Sequence, residues 1–411
     1  MAILTLDDVD VRGKVVLVRV DFNSPVDPST KKILDDVRIR AHGDTTIREL
    51  VEKGAKVVVL AHQGRKGEPD FIPMDQHADL LAKILKRPVK YVDDVCGEKA
   101  KAAVKSLKSG EVLVLDNVRF LPSETEEKEP ADHAKSELVR SLAPLADIFV
   151  LDAFASAHRA HSSITGFTVV VPSVAGRVMQ RELASLGKVL EDPQKPCLFV
   201  LGGSKADDSL EISRYALENG IADRVLTGGL VGQIFLAAKG YDLGQPNMAF
   251  LEKKGVTTLI PGLKELIHDY PSQVVLPEDV AVKAGEGREE VPVDRLPTKY
   301  RIEDIGKRTI ENYTRLIGDA RSVVFSGPMG VYEDPLMALG TRTVFGKISS
   351  SKLFSLAGGG HTISALEEFG LSGGVSYIST AGGALTEYLM GKKLPGVAAL
   401  EKAAASKKKE G

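Results

Sequence analysis

The 411-residue chain has no tryptophan and only two cysteines, and its 54 basic and 56 acidic side chains leave a formal charge of -2. Cys96 and Cys197 lie far apart, with no partner at redox or zinc spacing. That excludes a disulfide framework and a cysteine-based site, and it points to a reducing compartment. Near-neutrality supplies no global field toward nucleic acid or an anionic membrane, so charge-driven binding has to be local. No apolar run reaches the length of a membrane span, and MAILTLDDVDVRGK lacks a basic segment followed by an apolar one, so a cytoplasmic protein is expected. Two phosphate-binding signatures are also missing. No GxGxxG follows the first strand of either half, which disfavours a dinucleotide dehydrogenase. No GxxxxGK[ST] occurs, since the stretch from Gly340 to Lys347 has the wrong spacing and Ile348 where a hydroxyl belongs.

Glycine is abundant but unevenly placed: of 39, eight precede or fall at residue 172 and 31 follow it, whereas six of eight histidines lie in the first part. Basic and acidic residues divide almost evenly, so the two parts differ in chemistry rather than charge. The length suits two or three domains with cores of their own. Short β-branched runs alternate with segments of helical period, the pattern of βαβ units around parallel sheets, and an α/β fold follows. Strands are expected at Val15 to Val20, Lys56 to Leu60, Val112 to Leu115 and Ile148 to Leu151. A second set is expected at Leu198 to Leu201, Arg224 to Leu226, Val274 to Leu276, Ser322 to Phe325, Lys352 to Leu356 and Ser376 to Ser379. Helices are expected at Asp44 to Glu52, Gln76 to Leu85 and Ala131 to Ala143. Residues 173–192 read as an interdomain helix between a domain of residues 1–172 and one of residues 193–395. Residues 396–411 form a terminal segment ending in a lysine-rich, solvated, frayed tail.

Ligands bind outside the carboxyl ends of parallel strands, so the residues that follow each strand carry the chemistry. In the first part these include Asp21-Phe22-Asn23, His62-Gln63-Gly64-Arg65, Arg119, and His158-Arg159, with Arg38 in the loop after the first strand. Guanidinium forks converging from several strands suit a small, multiply charged anion. In the second part the strands end in Gly202-Gly203-Ser204-Lys205, Gly228-Gly229, Ser326-Gly327-Pro328, Gly358-Gly359-Gly360-His361-Thr362 and Gly382-Gly383. Glycine turns at helix N-termini bring bare N–H groups to a polyphosphate. An anion domain joined by a helix to a phosphate-cradling domain is a plausible two-domain phosphotransferase.

RVDFNSP (Arg19 to Pro25), AHQGR, NVRF, FASAHRAHSSITGF (Phe154 to Phe167), LGGSK, SGPMGVYE (Ser326 to Glu333), GGGHT and TAGGALTEYLMGKKLPGVAAL (Thr380 to Leu400) occur in one order along the chain. Together they resemble the phosphoglycerate kinase family over nearly its whole length. The resemblance implies two Rossmann-like α/β/α domains joined by a hinge helix, and reversible transfer of a phosphoryl group between ATP and the carboxylate of 3-phosphoglycerate. The products are 1,3-bisphosphoglycerate and ADP, the cofactor is Mg²⁺, and the family is usually monomeric. Carried over, Asp21, Phe22 and Asn23 hold the glycerate, and Arg38, His62, Gln63, Gly64, Arg65, Arg119 and Arg159 surround its phosphate and carboxylate. Gly203, Ser204, Gly228 and Gly229 line the adenine pocket, Glu333 takes the ribose, and Lys205 reaches the phosphates. Gly358, Gly359, Gly360, His361 and Thr362 cradle those phosphates, and Arg38 and Lys205 are the catalytic cations.

Four departures from the bacterial and eukaryotic pattern resemble the archaeal branch. His361 replaces the aspartate of GGGDT, Ser209 replaces the second lysine of GGAKVSDK, and Ser326 and Asp116 replace an asparagine and a glutamate. Neutral imidazole is a poor ligand for Mg²⁺, so no protein ligand for the metal is assigned. The acceptor carboxylate is already ionised at neutral pH, so no general base is needed. A non-catalytic sensor of nucleotide and organic phosphate is the alternative from another class.

Overall fold

The computed structural model describes residues 3–410 and the side chains of residues 3–406. The chain divides into two compact units, one of Met1–Leu183 with Lys393–Gly411 and the other of Ala184–Lys392. The first holds a six-stranded parallel sheet in the order β3-β4-β2-β1-β5-β6, with β1 Val15–Arg19, β2 Lys56–Leu60, β3 Lys90–Val92, β4 Val112–Leu115, β5 Ile148–Leu151 and β6 Ser173–Ala175. Val16, Val18, Val57, Val59, Val112, Val114, Ile148 and Val150 pack into one core. The alternate residues Leu17, Val58, Leu113 and Phe149 are equally buried on the opposite face. Burial on both faces explains the nearly continuous apolar strands and requires helical layers on either side.

The second unit contains a six-stranded parallel sheet in the order β15-β14-β13-β7-β8-β9. Its strands are β7 Cys197–Leu201, β8 Arg224–Thr227, β9 Val274–Val275, β13 Ser322–Ser326, β14 Phe354–Gly358 and β15 Tyr377–Ser379. A smaller sheet joins β10 Asp279–Ala284, β11 Gly287–Pro292 and β12 Ile302–Ile305 in antiparallel pairs. Both large sheets place several strand ends along one carboxyl edge, as two Rossmann-like α/β domains require. Buried Tyr313 closes the ends of β8 and β9: its hydroxyl donates toward the carbonyls of Thr227 (2.8 Å) and Val275 (3.1 Å) and lies 3.2 Å from the Thr227 N–H.

Several boundaries differ from the sequence reading. The linking helix starts at Arg177, because Ser173–Ala175 is recruited as an edge strand against β5. Ala131 to Ala143 is interrupted where the Ser136 hydroxyl caps a new helix, Glu137–Leu142, by accepting from the Val139 N–H. Helical structure also begins before Asp44, at Val37, and passes through a π-turn at Gly43–Ile47. β14 lies two residues later than expected, its register being set by pairing of Phe354 with Ser322. The helix Pro395–Glu410 includes the lysine-rich end, and Ala404 is buried against the first unit.

Tyr313→Phe removes a buried hydroxyl that serves three backbone groups. Chemical denaturation should show a loss of about 1–3 kcal/mol in the second unit.

Candidate active site

Four adjacent central strands of the first sheet, β4, β2, β1 and β5, deliver the polar residues to one edge. Asp21 follows β1, and its carboxylate accepts from Arg38 at 2.6 Å and from the Asn23 N–H at 3.1 Å. The Asn23 carboxamide oxygen accepts from the Gly64 N–H at 2.8 Å, joining the loops after β1 and β2. Gly64 has φ +67°, and a Cβ there would lie 2.4 Å from the Asp70 carbonyl oxygen, so no side chain fits. Its carbonyl accepts from Arg119.

His62 is 5% exposed and sits among guanidinium groups. Buried Arg19 approaches its Nδ1 at 3.0 Å. Since arginine only donates, Nδ1 must accept and Nε2 carries the proton. Burial first, and then the positive charges of Arg19, Arg119, Arg159 and Arg38, push the imidazole well below its ordinary value, so it is neutral at pH 7. Burial likewise lowers Arg119, to about 10, with repulsion from Arg159 and Arg19 adding to it. Arg19 is only 1% exposed and is balanced from below. Its Nε donates to the Ser163 hydroxyl (2.7 Å), which donates to Glu124 (2.6 Å), and Glu124 also accepts from the Ser162 hydroxyl and the Ser163 N–H. The cluster is therefore rich in positive charge, with few carboxylates, and suits a polyanion.

In the second unit the turns after β7, β8 and β13 mesh backbone against backbone. Gly202 N–H donates to the Ser326 carbonyl (2.8 Å), Gly203 N–H to Pro328 (2.7 Å), Gly228 N–H to Leu201 (2.9 Å) and Gly229 N–H to Met329 (2.7 Å). Gly327, at φ +83°, lies so close that a Cβ would come within 2.3 Å of the Gly202 carbonyl oxygen. Helices begin at Ala206, Gly229 and Gly360 along this edge, each with first-turn N–H groups that the helix itself cannot satisfy. Lys205 precedes the first of them with a side chain 76% exposed, 3.7 Å from Asp208, whose carboxyl is raised by burial against the pull of Lys205. Gly359 precedes the third helix with φ +91°, and Gly360, His361 and Glu333 are exposed.

The family model described as phosphoglycerate kinase matches residues 6–392. The chain belongs to the phosphoglycerate kinase family. A phosphoglycerate kinase of Methanothermobacter thermautotrophicus is 48% identical over 97% of this chain and 96% of its own length. One of Methanopyrus kandleri is 46% identical over 97% of both. The crystal structure of phosphoglycerate kinase from Pyrococcus horikoshii OT3 superposes with TM-score 0.87 at 39% identity, covering 98% of this chain and 100% of that one. The Coxiella burnetii phosphoglycerate kinase structure gives 0.85 at 31% identity, with 98% and 100% covered. The chain is thus an enzyme of this family.

Within this phosphoglycerate kinase family fold, the structure redistributes several expected roles. The Phe22 side chain cannot meet a ligand: it is fully buried and stacked on His77, with ring centres 6.3 Å apart. Gln63 is also fully buried and acts as a clip, accepting from the Ser24 N–H and donating to the Ser24 and Asp70 carbonyls. The N–H groups of Gly203, Gly228 and Gly229 are spent on the meshed turns, so those glycines offer surface rather than donors. The Thr362 hydroxyl turns inward to accept from the Gly327 N–H at 2.7 Å, linking the turns after β13 and β14. Arg19, Glu124, Ser162 and Ser163 were not singled out, although Arg19 and the serines lie inside recognised motifs; a buried cation has no signal in spacing.

His361 and the engaged Thr362 hydroxyl do not make an oxygen cage for Mg²⁺. Among the described residues no three of His, Cys, Asp and Glu stand together as ligands, so none is assigned to a metal. No helix among them is long and apolar enough to cross a membrane.

Burial lowers His77 to about 4 and His161 to about 3, from the ordinary 6.5, and His62 well below it. A base depressed on folding stabilises the fold above its unfolded value, and that stability is lost as pH falls through the folded value. All three lie in the first unit, whereas His268 and His361 of the second are exposed. Hydrogen exchange between pH 6.5 and 3 should therefore show the first unit opening before the second.

Proposed function

We propose that the chain transfers a phosphoryl group reversibly between ATP and the carboxylate of 3-phosphoglycerate, the first unit holding the acid and the second the nucleotide. The observation that carries the assignment of sides is the contrast between their edges. One presents Arg38, His62, Arg65, Arg119 and Arg159, and the other presents helix N-termini with Lys205. Arg38, Asp21 and Asn23 take the glycerate and its carboxylate, while the Nε2–H of His62 and the remaining arginines take its phosphate. On the nucleotide side, the surface of Gly203, Ser204, Gly228 and Gly229 receives adenine and Glu333 receives the ribose. Gly358, Gly359, Gly360 and His361 present the third helix N-terminus to the phosphates.

The attacking carboxylate needs no base, so catalysis consists of alignment and charge cancellation by Arg38, Lys205 and backbone N–H groups. Arg38 is held by Asp21 at 2.6 Å, close to where a carboxylate would compete for it. Mg²⁺, which the family uses with ATP, would supply neutralisation of phosphate charge, and no side chain here is given to it. With Ser209 buried where a second lysine stands in other members, Lys205 carries the phosphate side with the helix N-termini. Closure about the linking helix brings the ligands together, in a cytoplasmic monomer.

In an assay coupling 3-phosphoglycerate, ATP and Mg²⁺ to a spectroscopic readout, Arg38→Ala should lose about 3 kcal/mol or more of transition-state stabilisation. Near-normal turnover by the folded variant would remove Arg38 from catalysis. Solution scattering should show compaction only with both substrates bound, and an unchanged profile would count against closure.

A further inference from the structure

We infer that His42 and Asp152 form a positioning pair that orients the glycerate-binding loop and ties it to the first turn of the linking helix, a role that rests on the proposed function. Asp152 follows β5 and is fully buried, and His42 is 4% exposed. The Nε2 of His42 accepts from the Asp21 backbone N–H at 3.2 Å, so its proton resides on Nδ1, which donates to Asp152 Oδ2 at 2.7 Å. The other oxygen of Asp152 accepts from the Val178 and Met179 N–H groups at 2.9 and 3.2 Å, satisfying the start of helix Arg177–Leu190. Gly176 is obligatory beside it, since a Cβ there would lie 2.2 Å from Oδ1.

The same helical stripe repeats the link. Arg38, His42, Thr46 and Glu49 follow one another at helical spacing. Arg38 meets Asp21 at 2.6 Å, and the Thr46 hydroxyl accepts from the Arg177 N–H at 2.8 Å. Glu49 accepts from both Nε and NH2 of Arg177 at 2.6 Å. A single segment therefore touches the substrate-binding carboxylate at one end and the root of the linking helix at the other. Asp152 fixes the histidine tautomer on which the Asp21 contact depends.

Asp152→Asn tests this specifically. Its carbonyl oxygen can keep the Val178 and Met179 amides, but its NH2 then faces Nδ1, moves the His42 proton to Nε2 and sets donor against donor at Asp21. Nitrogen-resolved NMR of the ring should show Nδ1–H in the unaltered chain and Nε2–H in the variant. Calorimetry should show roughly tenfold or greater weakening for 3-phosphoglycerate, with KM for ATP held within about twofold. His42→Gln, whose side-chain oxygen can still accept from Asp21, should bind 3-phosphoglycerate more tightly than His42→Ala; this pair carries the test if Asp152→Asn does not fold. Unchanged 3-phosphoglycerate affinity in a folded Asp152→Asn protein, an equal rise in KM for ATP, or identical behaviour of the two His42 variants would overturn the positioning role. Failure of the unaltered chain to bind 3-phosphoglycerate at all would overturn the functional reading instead, before any variant is compared.

Discussion

The first unit is organised around one buried cation. Arg19 lies at the end of the central strand β1, and a charge at 1% exposure persists only when it is hydrogen-bonded and balanced. Ser163 and Glu124 provide that balance on one side, and on the other Arg19 donates to His62. The donation fixes the tautomer of His62, its neutrality follows from burial and the surrounding guanidinium groups, and Arg119 is lowered by burial first and then by repulsion from Arg159 and Arg19. The result is an edge in which positive charges are already assembled and desolvated before a ligand arrives. Such preorganisation spares the reorganisation that exposed, mobile lysines would require.

The second unit solves the complementary problem with almost no side-chain charge. Its strand-end turns are packed so closely that the N–H groups of Gly202, Gly203 and Gly327 are taken up by Ser326, Pro328 and Thr362, which leaves helix N-termini and exposed Lys205 as the positive features of the edge. Glycine there has two functions that composition cannot separate. At Gly327 it allows one backbone to lie on another, whereas at Gly359 and Gly360 it opens the approach to a helix end. Where other family members have aspartate, His361 leaves this edge without an added carboxylate.

Much of this was legible because strands and strand ends are local. The β-branched runs of VVLVR, KVVVL and IFVL marked β1, β2 and β5, and the Arg, His and Gly residues just beyond them marked both edges. Less visible were the elements that depend on neighbours. β6 becomes a strand through pairing with β5, although its residues sit at the head of a helix-forming stretch. In the hairpin Asp279–Pro292 the second strand, GREEVP, has few apolar residues to announce it. Within the site, Phe22 and Gln63 looked like ligand contacts because of their place in sequence, whereas burial makes one a core ring and the other a clip. Arg19 showed the reverse error, because nothing in RVDFN distinguishes a buried structural arginine from an exposed one.

The sequence by itself determined the chemical division of the chain, with guanidinium groups gathered in one part and glycine in the other, because residue type and distance from a strand end are properties of the primary structure. Only tertiary structure decided which polar atoms remain available for chemistry. Hydrogen bonds between distant residues, such as His42 with Asp152 and Thr362 with Gly327, commit one atom and orient the next, and no reading along the chain can assign partners that folding brings together.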